Sequence, residues 1–214
     1  MIIDKTFARE LAHKLLKINA VLLRPNQPFT WSSGWNSPIY CDNRLTLRYP
    51  EIRRSIADQF TKLIEDNYPD INVVTGTATA GIPHATIIAE KLNLPMAYVR
   101  AKAKSYGMGN QIEGGVAKNE QTVIIEDLIS TGGSAISVID ALQFVGADVQ
   151  ALFSIFTYGF QKSVDRFNEL NIPVYTLTDY STLVDVALEE NFVDKEDVEL
   201  LSSWRNSTET WAAQ

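Results

Sequence analysis

Two neighbouring carboxylates, Glu126 and Asp127, stand just before a run of hydroxyls and glycines in the stretch V-I-I-E-D-L-I-S-T-G-G-S, residues 123–134. The β-branched residues ahead of the acids read as a buried strand, and a helical pattern begins after Ser130, Thr131, Gly132, Gly133 and Ser134. A strand-to-helix turn of this composition aims backbone N–H groups at one point, a favourable seat for a phosphate. The acids would repel that phosphate, so they suit hydroxyls or a bound cation. A ribose phosphate answers both halves. The plainer alternative is a tight turn with Ser134 as N-cap. The paired acids weigh against it, because adjacent buried carboxylates are costly unless something is bound there. No Lys follows the second glycine, so this is not a nucleotide P-loop, and the dinucleotide fingerprint is absent too.

A second segment, R-A-K-A-K-S-Y-G-M-G-N-Q-I-E-G-G at residues 100–115, carries the cations Arg100, Lys102 and Lys104, then a scatter of glycines. Charge runs are usually solvated surface. This one leaves a strand at its ligand-facing end, and its glycines let it swing as a lid. A basic lid over a phosphate implies a second, more highly charged anion such as a pyrophosphate. The loop T-G-T-A-T-A-G-I-P, residues 75–83, reads either as a simple βα turn or as a backbone cradle for that diphosphate. His84 beyond it reads as a helix-start residue, and His13 as a surface residue without a partner. The aromatic segment at residues 29–44, with Trp31 and Trp35, suits either packing at the edge of the core or a hood over a flat heterocycle.

The elements that must position these groups follow from periodicity. Phe7, Leu11, Leu15 and Ile18 mark an N-terminal helix. Pro50 opens a second, with Ile52, Ile56, Phe60, Leu63 and Ile64 on its apolar face. Strands are expected at 73–75, 96–100, 122–125, 149–157 and 174–178. Helices are expected at 85–92, 135–145, 182–190 and 195–204. This alternation implies an α/β fold with a mostly parallel sheet and helices on both faces. Ligands bind such sheets beyond the carboxyl ends of the strands, which selects the loops after Val74, Val99 and Ile125.

At 214 residues the chain has room for one domain with a full core. Its net charge of −7 opposes broad nucleic-acid binding. The lone Cys41 excludes an internal disulfide. No apolar run is long enough to span a bilayer, and the N-terminus lacks a signal-peptide core, so a cytoplasmic, soluble protein is expected.

The acidic pair with its hydroxyl–glycine loop resembles the signature of the type I phosphoribosyltransferases. The lid ending in N-Q-I-E-G, the hood F-T-W-S-S-G-W-N-S-P-I-Y-C-D-N-R and the loop G-T-A-T-A-G-I are similar to the branch of that family that uses orotate, nearly end to end. The resemblance implies the type I phosphoribosyltransferase fold. It implies a single domain over 1–214, with hood elements at about 1–48, a core at about 50–180 and C-terminal helices at about 181–206. It implies transfer of a phosphoribosyl group from phosphoribosyl pyrophosphate to orotate, a step in pyrimidine synthesis. Phosphoribosyl pyrophosphate would be bound by Arg100, Lys104, Tyr106, Glu126, Asp127, Leu128, Ile129, Ser130, Thr131, Gly132, Gly133 and Ser134. Ser130 would also touch orotate, and Lys104 would be catalytic. Mg²⁺ would arrive mainly on the substrate, with no metal site built from protein alone. A homodimer sharing lid residues is implied, with neither nucleic acid nor membrane as partner. The chain departs from the pattern at Ala101, at Tyr106 in place of a usual His, at Asn36 and at Tyr158. Tyr158 stands where another branch has an orotate-binding Arg, leaving Arg44 or hood amides as candidates for the orotate carboxylate. Other acceptor bases, or a non-catalytic ligand sensor, are the competing readings.

Overall fold

The computed structural model describes every residue except 1, 3, 32–33, 102–110, 209–210 and 212–214. It opens with α1 (Lys5–Lys17), whose first turn is capped by Asp4 accepting from the Phe7 amide, and which buries Leu11, Leu15 and Leu16. The hood follows as short strands: β1 (Val21–Leu23), β2 (Phe29–Thr30), β3 (Asn36–Ser37) and β4 (Ile39–Cys41). β1 pairs antiparallel with β4, and β2 with β3. A 3-10 turn at Asn43–Arg48 leads into α2 (Pro50–Asn67), with Pro at its first position and the expected apolar face buried.

The core then runs β5 (Val73–Thr77), α3 (Gly81–Leu92), β6 (Met96–Val99), β7 (Ile112–Glu113), β8 (Gln121–Ile129), α4 (Gly133–Phe144), β9 (Asp148–Thr157), α5 (Gln161–Glu169) and β10 (Val174–Asp179). Two more helices, α6 (Tyr180–Glu189) and α7 (Lys195–Asn206), complete it. The sheet order is β10-β9-β8-β5-β6-β7, parallel except where β7 joins β6. Both faces are covered, so β8 and β9 are nearly continuous buried strands rather than alternating ones. One face packs Val123, Ile125, Phe153 and Ile155 with residues of α1, α2, α3 and α6. The other packs Ile124 and Leu152 with Val138, Ile139 and Leu142 of α4 and Phe167 of α5.

The chain passes from β5 outward to β6, then returns to β8 on the far side of β5. The direction of winding therefore reverses between β5 and β8, and the crevice beyond their carboxyl ends is the natural ligand site. Close approach of α3 to β8 sharpens it: a Cβ on Gly81 would lie 2.3 Å from the Ile125 carbonyl oxygen.

Several elements differ from the expectation. β8 continues through Glu126 and Asp127 to Ile129, because β9 offers backbone partners as far as Thr157. α3 starts at Gly81 rather than at 85. α5 was not expected, since it is mostly polar and buries only Ser163 and Phe167. His13 is not solitary: its Nδ1 lies 2.5 Å from Glu190, and Arg9 bonds Glu189 beside it, clasping α1 to α6.

Replacing Gly81 with Ala should force α3 off β8. Thermal denaturation should show a loss of about 1–3 kcal/mol, at about 2–4 °C per kcal/mol for a chain of this size.

Candidate active site

Glu126 lies in β8 opposite Ser154 and is only 4% exposed. Its carboxyl accepts from the Asp127 amide at 3.1 Å and from the Ser134 hydroxyl at 3.1 Å. Ser134 is thus a partner of the acid and not the N-cap of α4. Burial, then the neighbouring Asp127 charge, push Glu126 up to about 8. Asp127 is raised as well, chiefly by burial, while its hydrogen bond with Glu126 opposes that rise. Both shifts favour the protonated form, so the pair resists carrying two charges at once.

The loop beyond leads into a helix start that no side chain caps. Gly132 is the N-cap of α4 at φ +80°, a conformation that disfavours any side chain, and its added Cβ would meet the Phe167 ring at 3.1 Å. No side chain caps α4, so the amides of its first turn are left for a ligand. α3 likewise begins without a side-chain cap, after the loop at Ala78 and Thr79, on the other side of the same crevice. Thus the loops after β5 and β8 present uncapped helix N-termini together, as the spacing suggests.

Arg100 follows β6 at the same end of the sheet. Its amide donates to the Gln111 carbonyl at 2.9 Å, and the Gln111 side chain donates back to the Arg100 carbonyl at 3.4 Å. The Arg100 guanidinium lies 3.7 Å from Glu113. The two stems of the basic segment are therefore tied together, with Arg100 at the base. Lys102, Lys104 and Tyr106 lie outside the described residues.

The hood contributes more than aromatic cover. Asn43, fully buried, donates from Nδ2 to the Asp127 carbonyl at 2.7 Å, stitching the hood to the acidic strand end. Thr46 accompanies it, 3.5 Å from Nε2 of His84. His84 is buried in α3 and pushed down to about 4 by that burial, so it is neutral and no general acid. Nothing in the sequence around Asn43 beyond the hood motif signals this contact. Trp31 stacks near Trp35 at 6.5 Å and packs on Tyr158 at 5.3 Å and on Trp204 of α7 at 5.6 Å. The Trp204 indole donates to the Asn36 carbonyl at 3.1 Å. The hood aromatics therefore do both jobs: they pack on the core, and they wall a cavity of about 660 Å³ that reaches Ser130 and Thr131. Arg44 does not line it. Its guanidinium is engaged by Asp42 at 2.6 and 2.8 Å.

A family model for the phosphoribosyl transferase domain matches residues 46–189. The orotate phosphoribosyltransferase of Staphylococcus haemolyticus is 54% identical over 94% of this chain and 99% of its own length. That of Bacillus subtilis is 52% identical over 94% and 93%. The crystal structure of orotate phosphoribosyltransferase from Aeropyrum pernix superposes with a TM-score of 0.73 at 27% identity, covering 85% of this chain and 98% of that one.

The raised Glu126 carries a stability signature. Its folded value near 8 exceeds the ordinary 4.5, so between those pH values the unfolded chain gives up a proton that the folded one keeps. Stability of the ligand-free protein should fall as pH rises through that window. Glu126→Gln should remove this slope, melting above the wild type at pH 8 and converging with it near pH 4.5 in thermal scans.

Proposed function

The chain belongs to the phosphoribosyl transferase family, and on that premise we propose that it transfers the 5-phosphoribosyl group of phosphoribosyl pyrophosphate to N1 of orotate. The products are orotidine 5′-monophosphate and pyrophosphate, in the de novo route to UMP. One observation carries the acceptor: identity of 54% to an orotate phosphoribosyltransferase over 94% of this chain, hood included.

The site supports a division of labour. Uncapped amides from Thr131 to Ser134 take the 5′-phosphate, with Gly132 and Gly133 leaving room for it. Leu128 and Ile129 carry the strand to that turn, and Ser130 faces both ligands. Glu126 and Asp127 take the ribose 2′- and 3′-hydroxyls, directly or through water. Arg100 and Lys104 face the pyrophosphate.

The bond from C1′ to pyrophosphate breaks as N1 bonds C1′, so positive charge develops on the ribose and negative charge on the leaving group. No nucleophilic side chain is required, because orotate is the nucleophile. Catalysis rests on positioning and on meeting the departing charge. Lys104 supplies that cation, and the Tyr106 hydroxyl adds a hydrogen bond rather than a proton, since phenols stay protonated near neutral pH.

Among the described residues no cluster of three or more His, Cys, Asp or Glu is placed to hold a metal ion. Two carboxylates beside a diphosphate cradle suit Mg²⁺ carried in on the substrate, since that ion keeps its waters and takes few protein ligands. When bound it would offset charge on the diphosphate. The same proposal includes a single domain over residues 1–214, a cytoplasmic location and a homodimer sharing lid residues. Among the described residues no helix is long and apolar enough to cross a membrane.

Orotate absorbance should fall when the protein meets orotate, phosphoribosyl pyrophosphate and Mg²⁺, and uracil and adenine should be poor acceptors. Lys104→Ala should lower kcat about 10²–10³-fold. Turnover of uracil or adenine in preference to orotate would reassign the acceptor.

A further inference from the structure

Orotate differs from uracil by a carboxylate, and the hood cavity must hold it. Trp31, Trp35 and Tyr158 wall that cavity, and Ser130 and Thr131 form its phosphoribosyl side. Arg44, one of the two candidates for that carboxylate, is not among the residues that line the cavity. Burial holds the Tyr158 phenol well above its ordinary range, so it is neutral. Among the described residues of the lining the one cationic side chain is that of Lys162.

Lys162 sits in the first turn of α5, and that turn is firmly placed. Phe160, its N-cap, stacks on Tyr158 with centroids 5.4 Å apart and packs on Trp204 at 5.6 Å. The Ser163 hydroxyl donates to the Phe160 carbonyl at 2.7 Å, and the Gly159 amide donates to the Thr157 hydroxyl at 3.0 Å. α5 has no side-chain cap, so its positive end supports the lysine in favouring an anion. The same aromatic stack that walls the cavity therefore places a cation at its mouth.

We propose that Lys162 is the specificity-determining cation that receives the carboxylate of orotate. This rests on the acceptor being orotate, as proposed above. It assigns to the start of α5 a task for which Arg44 and the hood amides were the candidates. A flexible lysine at the rim reaches a carboxylate without being buried itself.

The test is steady-state kinetics of wild type, Lys162→Ala and Lys162→Arg with orotate and phosphoribosyl pyrophosphate varied separately. Lys162→Ala should raise the KM for orotate about ten- to a hundredfold, as expected for loss of one charge-assisted hydrogen bond. Its kcat and its KM for phosphoribosyl pyrophosphate should stay within about threefold of wild type, and Lys162→Arg should recover most of the orotate KM. Wild-type turnover of orotate with an unchanged orotate KM in Lys162→Ala overturns the proposal and leaves the acceptor assignment intact. A selective rise in the KM for phosphoribosyl pyrophosphate instead overturns it by assigning Lys162 to the phosphate. Failure of the wild type to use orotate overturns the acceptor assignment and this proposal together.

Discussion

Two adjoining carboxyls at the end of β8, one of them buried, are the constraint on which the site depends. Glu126 is 4% exposed and adjoins a second carboxylate, an arrangement that costs free energy in an empty protein. The fold softens that cost with specific donors: the Asp127 amide and the Ser134 hydroxyl on Glu126. It does not cancel it, which is why Glu126 is pushed toward the protonated form. A ligand bearing hydroxyls and a cation would relieve what the protein alone leaves unbalanced. Strain of this kind at a crevice marks a site built for an occupant.

Topology decides where that pair can act. Winding reverses between β5 and β8, so two uncapped helix starts, α3 and α4, open onto one crevice beside the acids. Uncapped helix-start amides and carboxylates thus lie side by side, an arrangement that suits a ligand with separated phosphate and diol. The hood closes the third side. Asn43 bonds the acidic strand end, and Trp204 bonds Asn36 from α7, so the aromatic wall is braced from both ends of the chain.

Much of this was legible in the residues. The apolar face of α2 and the strand at β5 follow from period and propensity, and the phosphate loop follows from its hydroxyls and glycines. The extension of β8 through Glu126 was not legible. Charged residues break the apolar pattern, and only pairing with β9 as far as Thr157 keeps them in the sheet. α5 was hidden because Ser163 and Phe167 alone are buried in it. Contacts between distant segments, such as Asn43 with Asp127 or His13 with Glu190, leave no mark in local sequence. Arg44 looked available because its partner Asp42 lies two residues away, and whether such a pair closes depends on the turn between them.

The most direct test of the central claim is a crystal structure of the protein with phosphoribosyl pyrophosphate and Mg²⁺. The account predicts the 5′-phosphate on the amides that open α4, with the ribose 2′- and 3′-hydroxyls at Glu126 and Asp127 directly or through one water. A 5′-phosphate seated elsewhere, with the two carboxylates out of reach of the ribose, would contradict it.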